Sequence, residues 1–212
     1  MSIHLGVKEA GVARRRSSPV RQQEIAEAVI EIISYEGLRA LSMPAVANRV
    51  GIVPSALYRH YPGKEAMVEA AVQRLGQRIG AMVDVAEAES GGALAVCDRL
   101  VDGFTALMPQ PTAIPQVLFG LPSGGSERMR NLINEMVSQT VGRICTILEH
   151  GQRSGELRTT FDPEVAATSL WGLFVSTALR WYLARGDFDA GAHAKQAWAL
   201  YRRSIEADGA TA

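Results

Sequence analysis

The chain has 212 residues, and its 22 Lys/Arg balance 22 Asp/Glu to a formal net charge of zero. That length allows one or two domains with a sizeable core. The two cysteines, Cys97 and Cys145, each lie among apolar residues and read as small buried hydrophobes of a reducing cytosol rather than as a disulfide scaffold.

The start, MSIHLGVKEAGVARRRSS, has no apolar core long enough for a signal peptide. The longest uncharged apolar stretch, Val165 to Leu179, is fifteen residues, too short to span a bilayer comfortably. A soluble cytoplasmic protein with no membrane partner is expected. The charge is unevenly placed. Residues 1 to 64 hold nine Lys/Arg and five Asp/Glu, a balance of +4, and residues 65 to 212 hold thirteen and seventeen, a balance of −4. A basic N-terminal part on an acidic remainder fits a DNA-reading module joined to something else.

In chain order, residues 1–19 read as a flexible basic arm carrying Arg14-Arg15-Arg16, either a solvated tail or an arm for phosphates or the minor groove. Ser18-Pro19 starts a helix whose Ile25, Ala28, Val29, Ile32 and Ile33 fall at helical spacing, and Gly37 ends it. Ser42 caps a short helix with Pro44 in its first turn and Val46, Ala47 and Val50 on its apolar face. Gly51 breaks that helix, and Pro54 starts a second one, PSALYRHY, anchored by Leu57. Two short helices on a tight turn, at about residues 43–62, form the helix-turn-helix pattern, whose second helix enters the major groove of DNA.

The later elements are longer. A helix runs from Lys64 to about Ala88 on a stripe of Met67, Ala71, Val72, Leu75, Ile79 and Val83. Another spans Ala93 to Met108, with Leu94, Cys97, Val101, Phe104 and Met108 inside. Residues 109 to 125 hold four prolines and three glycines around a short apolar piece, Ile114 to Phe119. The next helix runs from Ser126 to His150 and is ended by Gly151 and Gly155. Asp162 caps a helix to about Arg185 that has no charge between Glu164 and Arg180, and Asp189 caps the last one. A helix apolar all round is covered on all sides, so a second copy of the chain is expected against residues 163–185 and 189–206, as an intermolecular four-helix bundle. The reading is all-α with about nine helices, with a three-helix DNA-binding domain at 20–80 and a helical ligand-binding and dimerisation domain at 81–212.

The motif ends distinctively: Gly51-Ile52-Val53, then Leu57-Tyr58-Arg59-His60-Tyr61, then Lys64. Over about residues 20 to 80 the chain resembles the TetR family of bacterial transcriptional regulators, whose usual signature runs Gly-Val-Ser, three residues, Leu-Tyr-x-His-Phe, two residues, Lys. It departs at Val53, where a small hydroxyl residue is usual. That removes a side-chain cap and a phosphate contact, of which Ser55 can replace only the contact. The resemblance implies an all-α homodimeric repressor, released from its operator when a small molecule in the C-terminal domain changes the separation of the two recognition helices.

Candidate contacts follow from side-chain chemistry. Tyr58 and Lys64 suit phosphates, supported by Ser42 and His60. Ser55, Ala56 and Arg59 suit base edges, Arg59 through two bonds to guanine and Ala56 against a thymine methyl. Pro54 belongs to the same DNA-facing set, and Tyr61 is expected in the core. A sensor pocket is expected from Phe104, Met108, Phe119, Met136, Trp171 and Phe174, with Gln139 and Arg143 as polar contacts and a hydrophobic effector as occupant. The partners expected are a near-palindromic duplex, a second copy of the chain and that effector. An enzyme is disfavoured: there is no glycine-rich phosphate loop and no Gly-x-Ser-x-Gly elbow, and His4, His60, His150 and His193 are scattered without metal-ligand spacing. No catalytic residue, cofactor or metal is expected. The alternative is a helical protein-interaction adaptor that has lost DNA binding, a reading that Val53 encourages.

Overall fold

The computed structural model describes residues 18–107, 114–120 and 126–208. The arm to residue 17 and Met108 lie outside the described residues. Helix α1 (Ser18–Glu36) buries Ile25, Ala28, Val29, Ile32 and Ile33 along one face. A short 3-10 turn (Leu38–Ala40) leads to α2 (Met43–Val50) and α3 (Pro54–Leu57). Then come α4 (Lys64–Ala88), α5 (Ala93–Leu107), a π-helical turn (Gln116–Gly120), α6 (Glu127–Ser154), α7 (Pro163–Leu183) and α8 (Ala190–Ile205). No strand forms among the described residues. A single antiparallel bridge joins Leu157 to Glu206, and Ala207 N–H donates to the Glu156 carbonyl at 3.0 Å.

Helix α4 belongs to both ends of the molecule. It packs against α1 and also against α5 and α6. Its buried stripe is the expected one, extended by Val68 and Ala86. Near its middle Arg74 Nε donates to Glu27 of α1 at 2.7 Å. Further along, Asp84 pairs with Arg143 of α6 at 2.8 Å, and Glu87 pairs with the same guanidinium.

Three elements differ from the sequence reading. The reading helix is a single turn, because residues 58–60 leave the α-helix for tighter bonds: Arg59 N–H donates to Ala56 O at 3.3 Å and His60 N–H to Leu57 O at 2.8 Å. Helix α6 runs through Gly151 and stops at Gly155, which has φ 79. Gly151 is a place of close approach, since a Cβ there would lie 2.6 Å from the Ala93 and Leu157 side chains. Finally, the apolar piece after Ile114 forms the π-helical turn and carries a buried amide, Gln116.

Gln116 forms a seam. Its Oε1 accepts from Leu38 N–H at 3.1 Å, and its Nε2 donates to the Ile33 carbonyl. Carbonyls in the last turn of a helix lack intrahelical partners. One carboxamide from the C-terminal part thus closes the end of the first helix.

Helices α7 and α8 pack together, with Tyr201 Oη donating to the Ala166 carbonyl at 2.6 Å. One side of α7 is buried through Ala167, Leu170, Trp171, Phe174 and Ala178. The other side, Val165, Ser169, Gly172 and Ser176, is exposed and carries no charge.

Candidate nucleic-acid interface

The motif is built by residues suited to each bend. Ser42 Oγ accepts from Ala45 N–H at 3.3 Å and so caps α2, leaving its O–H to donate elsewhere. Val46 and Ala47 are buried against the core. Gly51 turns the chain at φ 72, ψ 38, a left-handed conformation. Ile52 N–H then reaches back to Ala47 O at 2.9 Å. Val53 stands extended before Pro54, as a residue preceding proline prefers.

Of the residues expected to face DNA, Pro54, Ser55, Tyr58, Arg59 and Lys64 are exposed, and Ser42 and His60 are half-buried. Ala56 is only 8 % exposed and Leu57 fully buried. A one-turn helix has a single inward side, and these two fill it, so Ala56 is corrected from a base-edge residue to a core residue. His60 has a buried Nδ1 without a hydrogen-bond partner. Tyr61 packs on the core as expected; its hydroxyl donates to the Gln22 carbonyl at 3.2 Å, and burial pushes its phenol above the usual range.

From Gly37 to Lys64 the chain carries no Asp or Glu, but it does carry Arg39, Arg49, Arg59 and Lys64. Arg49 is turned back onto α1, where it pairs with Glu31 at 3.1 Å and also with Glu36. Arg39, Arg59 and Lys64 are exposed. A stretch with exposed cations and no carboxylate of its own fits phosphate binding; the nearest acids in the chain, Glu36 and Glu65, flank it, and Glu36 is engaged by Arg49. Arg39 was not singled out from sequence, where the signal for it was this missing acid.

The expected ligand residues do not converge on one site. Phe104 of α5 and Phe174 of α7 are buried and stack at 4.6 Å, and Trp171 is buried on the same helix as Phe174. Met136 and Gln139 instead line an open groove of about 540 Å³ between α4 and α6, with Gly76 and Gly80 on its α4 wall. Gln139 donates to Glu135 at 3.0 Å, and Arg143 donates to the Gly80 carbonyl at 3.2 Å while pairing with Asp84 and Glu87. These two therefore serve the outer α4–α6 surface rather than the aromatic interior. Phe119 is 57 % exposed, which removes it from any interior wall.

Cys97 is fully buried, and burial pushes its thiol up to about 12, which makes it inert. Among the described residues no group of three or more His, Cys, Asp or Glu could hold a metal ion, and no helix is long and apolar enough to cross a membrane.

Comparison with known proteins agrees with this geometry. Residues 25–71 match the model of bacterial regulatory proteins of the tetR family, and residues 123–202 match the tetracyclin repressor-like C-terminal domain. The nucleoid occlusion factor SlmA of Aliivibrio fischeri is 23% identical over 190 residues, covering 89% of this chain and 97% of that protein. The ketosteroid transcriptional regulator KstR2 of Mycobacterium tuberculosis has a TM-score of 0.68 at 20% identity, over 89% of this chain and 96% of that one. FadR from Bacillus subtilis, solved in complex with stearoyl-CoA, has a TM-score of 0.71 at 19% identity, over 84% and 96%. At these identities the solved structures establish the fold. With a family model matched at each end and the helix-turn-helix between Ser42 and Lys64 in place, this chain belongs to the TetR family of bacterial regulatory proteins.

Proposed function

We propose that the chain is a cytoplasmic, non-enzymatic transcriptional regulator that binds a near-palindromic duplex as a homodimer and leaves it when a small hydrophobic effector binds. The observation that carries the reading is the carboxylate-free head from Gly37 to Lys64, with Ser55, Tyr58, Arg59 and Lys64 exposed along it. Tyr58 and Lys64 hold phosphates, with Ser42 and His60 behind them. Ser55 and Arg59 meet base edges beside Pro54. Two heads are needed because one single-turn reading helix covers only a few base pairs. The uncharged exposed side of α7 supports pairing there, against a second copy.

The reading of a hydrophobic effector is supported by the stacked Phe104–Phe174 interior and by two neighbours of the same fold, described as a ketosteroid regulator and as a stearoyl-CoA complex. The effector acts by favouring one of two dimer geometries, with α4, which is shared by head and body, as the lever. A gel shift with DNA flanking the chain's own coding sequence tests the reading. A discrete retarded band that resists excess random DNA is expected; retardation that random DNA removes equally well would contradict it.

A further inference from the structure

Residue 53 breaks a local rule. The position before the first helical turn favours Ser, Thr, Asp or Asn, whose side chain satisfies an early N–H. Val53 stands there and caps nothing. It is also 64 % exposed, so it contributes little to the core. Positions that satisfy neither capping nor packing are where function is expected to set the residue.

The side chain is held rigidly. Ile52 N–H is tied to Ala47 O at 2.9 Å on one side, and Val53 O accepts from Ala56 N–H at 2.9 Å on the other. Pro54 restricts Val53 to its extended conformation, φ −75 and ψ 144. A β-branched side chain has few rotamers, so contact costs little further ordering. Ile52 is half-buried and packs on the core, whereas Val53 is exposed at the leading end of α3. The N-terminal residues of a reading helix are those that reach base edges.

The surroundings narrow the target. Pro54 and Ser55 beside it are exposed, and no carboxylate lies between Gly37 and Lys64. Within residues 42–64 the exposed large apolar side chains are Val53 and Tyr58, and Tyr58 has a hydroxyl for phosphate. Ala56 is buried. On the major-groove edges of the bases the apolar feature is the C5-methyl of thymine. We infer that Val53 reads a thymine methyl in each half-site and is a specificity-determining residue of the interface. This inference rests on the DNA-binding reading above.

The test uses the full chain and a duplex selected by it from a randomised pool. Single thymines are then replaced by uracil, which removes the methyl and keeps every hydrogen-bonding group. At one position per half-site the replacement is expected to weaken wild-type binding about fourfold, the worth of one buried methyl-sized group. Val53→Ser is expected to bind the thymine and uracil duplexes alike, and Val53→Ala, whose shorter side chain is still apolar, to keep only part of the preference. The serine variant restores a cap, so loss of folding does not explain its result. Wild-type affinity unchanged by every uracil replacement overturns the inference, as does thymine preference that survives in the serine variant. Failure to select any duplex above random DNA overturns the DNA-binding reading itself, and this inference with it.

Discussion

Between Ser42 and Lys64 each bend of the backbone is made by a residue suited to that bend: a serine cap, a glycine at φ 72, a proline restart. Between Ala93 and Ile205 caps still start α6, α7 and α8, but position comes from side chains that meet across the fold, such as Phe104 on Phe174 and Trp198 Nε1 donating to Asp98 at 2.6 Å. Local chemistry can be read from neighbouring residues. Packing depends on residues far apart in the chain, so the head is specified locally and the body globally. Substitutions in the two regions should therefore fail in different ways.

The largest effect belongs to the body. Phe174→Ala removes a buried ring from the aromatic stack and is expected to cost about 3–5 kcal/mol of stability, seen as a lower midpoint in urea. If its cost matches that of an exposed substitution, the stack does not hold the body together. Next, Ser169→Arg and Ser176→Arg place a charge on the exposed side of α7. Each should fold normally, with unchanged circular dichroism, but sediment as a monomer, because an unpaired charge in the interface costs about 3–5 kcal/mol. Variants that remain dimeric would move the interface elsewhere.

Gln116→Leu tests the seam between the two regions. It leaves the Ile33 carbonyl and the Leu38 N–H without their partner, at about 1–3 kcal/mol per buried group. Hydrogen exchange should quicken at Leu38, and exchange unaltered there would show that the seam carries no load. The smallest effect is in the head. Ser42→Ala removes one cap and should cost about 1 kcal/mol, with DNA affinity falling further than stability alone requires.

The same contrast explains what was legible in the sequence. Helix order, the caps at Ser42, Asp162 and Asp189 and the turn at Gly51 were readable, because each depends on residues a few positions apart. The length of α3 was not. PSALYRHY continues a helical pattern, but the α-helix ends at Leu57, after which Ala56 O and Leu57 O accept the tighter bonds from Arg59 and His60, and Leu57 O also accepts from Tyr61 N–H at 2.9 Å. Ala56 was misplaced because the sequence offers Leu57 as the apolar anchor of α3, whereas the fold buries both residues. Gly151 looked like a stop because it is a glycine; its role as a place of close approach stayed hidden because one of its neighbours, Ala93, lies on a distant helix. Gln139 and Arg143 share a helix face, as their spacing implied, but that face meets Asp84 and Glu87 of α4. The partners of Gln116, 78 and 83 residues away, left no local trace at all.

The central claim, that the carboxylate-free head grips DNA through its phosphates, is met most directly by the affinity of the full chain for its selected duplex across a salt series from about 50 to 200 mM. The logarithm of affinity should fall steeply and linearly with the logarithm of salt, and Lys64→Ala should make that slope shallower by about one for each head engaged. Binding that stays flat across the series, or a slope that Lys64→Ala leaves unaltered, would contradict the account.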